Sequence, residues 1–214
     1  MMKRNKWKIL ISSVVILLPI LAGVILWNDL PDKIPTHWGA DGAVDGWSSK
    51  PFAVFALPCI LLALHLICLF GTSFDKKNKD QNGKVFGMIF WIVPFISVFM
   101  SGMTYAVALG VNVGVKAITS GLVGLAFIVV GNLLPKCKQN STIGIKLPWT
   151  LRDAENWNAT HRLGGKLWVV AGFLMLVVAI VPAEATVYAF IGVILLAVIV
   201  PTVYSYLYHR KKKV

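Results

Sequence analysis

Long stretches of this sequence carry no charge at all. Ile9–Leu26, Phe52–Phe70, Val85–Leu109, Ala117–Leu134, Leu167–Val181 and Thr186–Tyr208 contain no Asp, Glu, Lys or Arg. A charged side chain at the centre of a membrane helix costs about 2.5–3.5 kcal/mol on insertion scales, so such runs are what lipid selects. With 57% hydrophobic and 14% charged residues and a mean hydropathy of +0.74, a soluble globular domain is excluded. Cysteine is scarce too: Cys59 and Cys68 fall in the second run and Cys137 in a loop, so no disulfide framework is expected. Also missing are HExxH, GxSxG and any carboxylate pair within a run. Neither catalysis, a cofactor nor a metal site is therefore expected. Glu155 and His161 stand six apart, about 120° out of alignment on one helix. Cys137, flanked by Lys136 and Lys138, reads as a solvated thiol rather than half of a Cys–His pair.

What is present is six apolar runs. A bilayer core of about 30 Å needs roughly 20 helical residues, and five runs reach or approach that length. Leu167–Val181 is short and needs Leu163–Lys166 to extend it, with Lys166 snorkelling. The first run follows a basic start, "MMKRNKWK". It is longer than a signal-peptide core and has no small-x-small site before "WNDLP", so it is expected to be a retained helix. Counting Lys and Arg by loop places 18 of 21 on the side of the two termini and the even-numbered loops. Only Lys33, Lys50 and Lys116 fall on the other side. The positive-inside rule then predicts cytoplasmic termini, a plasma-membrane protein and an external first loop. The net charge of +12 is thus a topology signal. The basic residues are dispersed without an aromatic platform, so direct nucleic-acid binding is not expected, while contact with membrane lipid is.

The expected architecture is all-α with six transmembrane helices, in two halves. Residues 1–110 form a three-helix module with the external loop 28–51. Residues 111–214 form a second with the cytoplasmic loop 132–166. A small-residue seam at Gly110, Gly114, Ala117, Gly121, Gly124 and Gly131 predicts close helix packing. Pro19, Pro58, Pro94 and Pro201 predict kinks. His65 is the one ionisable group deep in a run, as a neutral cross-helix bond or as a proton or ligand site.

In the external loop, "GADG" between "IPTHW" and "AVDGW" predicts a small hairpin. It is either a cap over helix ends or a recognition surface whose candidates are Pro35, His37, Trp38, Asp41, Gly42 and Asp45. In the cytoplasmic loop "STIGIKL" reads as extended. Thr150 and Asp153 then suggest the N-terminus of a separate interfacial helix from Leu151 to about Leu163, which Gly164–Gly165 would end.

This second loop resembles the signature of the SdpI family, bacterial membrane proteins named for immunity to a secreted killing-factor toxin. The resemblance runs through Gly131-Asn132, Leu134-Pro135-Lys136, Asn140, Ile143-Gly144-Ile145, Pro148-Trp149-Thr150-Leu151, Trp157 and Thr160-His161-Arg162-Leu163-Gly164-Gly165-Lys166. The first loop is similar to the N-terminal module often found with it, through Pro31, Ile34-Pro35, His37-Trp38, Gly42 and Ser49-Lys50. Lys146-Leu147 stands where the family usually has Arg-Thr, and Gln139 where it often has Pro. The resemblance implies a multi-pass immunity protein that resists a toxin peptide from outside and signals by holding a small repressor at the inner face. It also implies a signature-loop site of Asn132, Pro135, Asn140, Gly144, Pro148, Trp149, Thr150, Trp157, His161, Arg162 and Gly165. A rival reading is a transporter of a small solute or peptide. The halves have inverted topology, and both long loops open alike, "NDLPDK" from Asn28 and "NLLPKC" from Asn132. Asn-x-Leu-Pro is also a generic helix stop.

Overall fold

A computed structural model describes residues 5–81 and 83–212. Lys3, Arg4 and Lys213 of the charge count lie outside the described residues. Six helices follow the apolar runs: α1 (Lys6–Ile25), α2 (Leu57–Phe74), α3 (Gly83–Ala108), α4 (Val115–Leu133), α5 (Ala154–Val178) and α6 (Ala183–Lys211). All are long and apolar enough to cross a bilayer. Only 22–39% of each apolar window is buried within the protein. The exposed remainder includes Leu10, Leu21, Ile67, Phe95, Phe173 and Leu195, side chains that water would not tolerate in such number and lipid does.

The chain divides into two compact units, 1–74 with 86–115, and 75–85 with 116–214. In the first, α1 and α3 are joined by hydrogen bonds from Ser97 Oγ to the Ile16 carbonyl (2.8 Å) and from the Tyr105 hydroxyl to the Pro19 carbonyl (3.1 Å). Between α1 and α2 the expected hairpin forms: β1 (Lys33–Trp38) pairs antiparallel with β2 (Val44–Ser49). At the turn, Asp41 Oδ1 accepts from Ala43 N–H, and Gly42 takes φ +85°, a conformation glycine adopts at little cost. Leu30 and Ile34 of the hairpin foot pack on Ala53, Val54 and Tyr105. Ahead of α2 the chain makes a π-helical turn, Phe52–Ala56, closed by the Leu57 N–H onto the Phe52 carbonyl. This wider turn precedes Pro58, whose ring would press on the carbonyl four residues back in a regular helix.

In the second unit α5 is the central element. It packs on α6 through Ala171, Met175, Val178, Val193 and Ala197, and Trp168 Nε1 donates to the Ala197 carbonyl (3.0 Å). Against α4 it has no side chain to spare. A Cβ at Gly124 would stand 2.8 Å from the Gly172 carbonyl, and one at Gly131 2.8 Å from that of Gly165. The predicted seam is therefore real at Gly124 and Gly131. It does not extend to Gly121, which faces open space, or to Gly110, which turns the chain after α3 at φ +81°.

Two expectations for the signature loop need correction. No separate interfacial helix spans Leu151–Leu163: from Ala154 onward those residues are the first turns of α5, and Gly164–Gly165 lie inside it. The glycines do not stop the helix because their bare surfaces are packed, Gly165 against Pro135 and the Gly131 carbonyl, Gly164 against Ile145. The N-cap is Asp153, accepting from the N–H groups of Glu155 (2.9 Å) and Asn156 (3.2 Å). Thr150 instead closes a preceding turn. Residues 141–144 bend rather than extend. A helix of 25 residues is about 38 Å long against a core of about 30 Å, so the polar head of α5 stands outside the hydrocarbon.

Candidate functional site

The signature loop folds around two fully buried rings. Trp157 and His161, one turn apart on α5, stack with centroids 4.0 Å apart. Trp157 Nε1 donates to the Cys137 carbonyl (2.8 Å). His161 Nε2 accepts the Ile145 N–H (3.0 Å), so its proton sits on Nδ1 and is donated to the Trp157 carbonyl (2.8 Å). Both ring nitrogens are spent on backbone, which leaves His161 a neutral brace and not a free base. Gly144, at φ +113°, lies flat on this stack, where a Cβ would collide with His161 Nε2 and the Trp157 ring. Only glycine satisfies both the conformation and the contact.

Asn140 does the same work one layer out. Buried, its Oδ1 accepts from the N–H groups of Thr142 (2.8 Å) and Ile143 (2.6 Å), while Nδ2 donates to the carbonyls of Lys138 (2.8 Å) and Ile143 (2.9 Å). Thr150 Oγ1 accepts the Leu147 N–H (2.9 Å) and faces the Ile145 carbonyl at the same distance. Pro148 is exposed at the start of that turn. Trp149 reaches α6, with Nε1 donating to Ser205 Oγ (2.7 Å) and its ring near Tyr206 and His209. Ser205 in turn donates to Asn156 Oδ1 (2.8 Å), which also accepts from Thr160 Oγ1 (2.9 Å). Asn132 and Arg162 are exposed, and Asn132 back-bonds to the Ile128 carbonyl.

The structure thus brings Asn140, Gly144, Thr150, Trp157, His161 and Gly165 together as a scaffold. Around it Lys136, Lys138, Lys146, Arg152, Arg162 and Lys166 are exposed. Cys137 is not solvated, as the flanking lysines suggest, but buried under Trp157 and Val85. Burial pushes its thiol up to about 11, against the opposing pull of bonds from Asn140 and Gln81. Sequence reasoning also missed the 3-10 turn Lys76–Asp80 as part of this site. Asp75 accepts from the Ser141 N–H (2.7 Å) and hydroxyl (2.8 Å), and Asn78 Nδ2 donates to Thr142 (2.8 Å). Burial raises the Asp75 carboxyl, but the Ser141 and Lys77 bonds outweigh it and hold the group below its ordinary value. At the far end of the loop, Lys212 bridges Asp153 (3.0 Å) and Glu155 (2.6 Å). No local sequence signal marks these pairings, which join residues more than 50 apart in the chain.

The hairpin is different in kind. His37 and Asp45 are exposed and bonded to each other at 2.5 Å. Asp41 is exposed, Pro35 is buried opposite Trp47, and Trp38 ends β1. Lys50, counted in the sequence only for charge and resemblance, is buried at the foot: Nζ donates to the Trp27 carbonyl (3.1 Å), lies over its ring and faces Asp32 (3.6 Å). His65, fully buried within the first unit, bonds Ser12 Oγ (2.9 Å). Ser12 donates to Ile9, so His65 Nε2 carries the proton and Nδ1 has no partner among the described residues.

Comparison with known proteins matches residues 136–205 to the SdpI/YfhL protein family and residues 14–62 to a Domain of unknown function (DUF1648). The chain is also 29% identical over 210 residues to "Immunity protein SdpI" of Bacillus subtilis (strain 168), covering 98% of both chains. Over residues 136–205, about a third of its length, the chain is similar to the SdpI family. Its family segment begins at the 3-10 turn Leu134–Lys136 and ends in α6 at Ser205, the partner of Trp149 and Asn156. That segment is the scaffold described above. The second match spans most of α1, the hairpin and the start of α2. No solved structure matches.

Proposed function

We propose that this multi-pass membrane protein protects a bacterial cell against a secreted toxin peptide, which it engages through the hairpin on the outer face. On this reading both termini and the signature loop lie in the cytoplasm, which the distribution of Lys and Arg supports. The observation that carries the reading is the end-to-end likeness to an immunity protein, 29% identity with 98% of each chain aligned. The hairpin suits recognition because its polar groups point outward, with His37, Asp41, Asp45 and Trp47 all exposed. The signature loop suits a different task. Its hydrogen-bonding groups are consumed internally, so what it offers is a rigid platform ringed by basic side chains. On this reading that platform holds a small repressor protein at the membrane while toxin is bound outside.

The decisive experiment removes the gene from its own host and challenges the cells with conditioned medium from the parent strain. Growth should stop in the deletion strain and return with a plasmid-borne copy. Growth equal to that of the parent would sink the immunity reading.

A further inference from the structure

We propose that the free edge of β2, with the groove beside it, takes up an extended, positively charged peptide segment as a third strand, with Trp47 as its apolar anchor. This deepens the toxin-binding reading above and rests on it.

The two edges of the hairpin are unlike. Edge strands are commonly protected from pairing by Lys and Pro, and β1 carries both, Lys33 and Pro35. β2 reads Val-Asp-Gly-Trp-Ser-Ser, with neither. Among the described residues it pairs only with β1, so its outer edge presents backbone N–H and C=O groups without a strand partner there. Gly46, Ser48 and Ser49 are small enough to let another backbone approach. An open groove of about 840 Å³ runs along β2, lined by Asp45 through Ser49 and, at the start of β1, by Asp32 and Lys33. A groove that follows five consecutive strand residues has the shape of an extended chain, and strand addition is an established way to bind one.

Charge selects the occupant. The chain is +12 overall, yet Asp29, Asp32, Asp41 and Asp45, four of its nine acidic residues, fall within residues 28–51 and are all exposed. The two lysines of that stretch do not balance them, since Lys50 is buried in its own contacts. Along β2, Asp45, Trp47 and Ser49 alternate outward, and Trp47 is 57% exposed. A strand with Lys or Arg at every second position would set one cation beside Asp45 and the next over the Trp47 face.

The test uses the full-length protein in zwitterionic nanodiscs and three synthetic octapeptides: alternating Lys-Val, alternating Glu-Val, and Lys-Val N-methylated along one edge. Hydrogen exchange and titration are read together. The Lys-Val peptide should slow exchange at residues 44–49, and the other two should not. Trp47→Ala and Asp45→Asn should each weaken its binding, Trp47→Ala on the order of tenfold. No protection at 44–49, equal binding of the Glu-Val peptide, or equal uptake by empty nanodiscs would overturn the proposal. Toxin challenge separates this from the parent reading. If the wild-type gene protects and both variants protect equally well, immunity stands and the strand-edge contact is wrong. If the deletion strain itself survives, the parent reading has failed.

Discussion

A thiol attacks only as thiolate, and Cys137 is held in the protonated form. Its sulfur is buried, with the Ile143 carbonyl at 3.4 Å and the amides of Asn140 and Gln81 at 3.6 and 3.7 Å, and burial moves its ionisation up to about 11. In a Cys59→Ser, Cys68→Ser background, alkylation of the folded protein by iodoacetamide should therefore be slow at pH 8. It should still rise by about tenfold per pH unit beyond pH 9, where a thiol of ordinary value would level off. A plateau by pH 9 would show that the sulfur is open to water. The sequence misled here for a physical reason. Lys136 and Lys138 announce a wet surface, and nothing near residue 137 announces that Trp157, twenty residues on, covers it. The same distance hid the roles of Asp75 and Lys50, whose partners are remote in the chain.

Helix α5 owes its length to glycine used as a contact surface. Gly124 and Gly172 each present bare backbone to the other's carbonyl, at 2.8 and 2.6 Å from where a Cβ would stand. Replacing either with Leu should force α4 and α5 apart, at about 1–3 kcal/mol or more for the overpacked seam. Gly121→Leu, whose side chain would enter open space, should leave the thermal midpoint in detergent nearly unchanged. Equal losses for Gly121→Leu and Gly172→Leu would remove the distinction. Six spans and one hairpin were legible because both signals are local: uncharged runs for the helices, Gly42 and its neighbours for the turn. The start of α5 was not. Gly164–Gly165 has the composition of a helix stop, and only the packing against Pro135, Gly131 and Ile145 turns it into helix interior. The true signal was Asp153, directly ahead of a polar but helical stretch, and Thr150 competed with it as a cap.

For the whole molecule, the lopsided placement of Lys and Arg predicts an orientation that impermeant thiol reagents can check. In a cysteine-free background, Ala43→Cys in the exposed hairpin turn should label in intact cells, and Asn158→Cys on the exposed face of α5 only after lysis. The reverse pattern would invert the protein and move the hairpin away from any secreted peptide. The route of the chain is itself consequential. It enters the second unit at Asp75, leaves it for the first at Phe86 and re-enters at Lys116. Severing the 110–114 linker would thus yield no self-sufficient halves. The amino-terminal fragment would keep the stretch whose Asp75, Asn78 and Gln81 complete the other fragment's fold. Two such fragments, translated as separate polypeptides, would be complementary: the later one would stay unfinished until the earlier one supplied its missing turn.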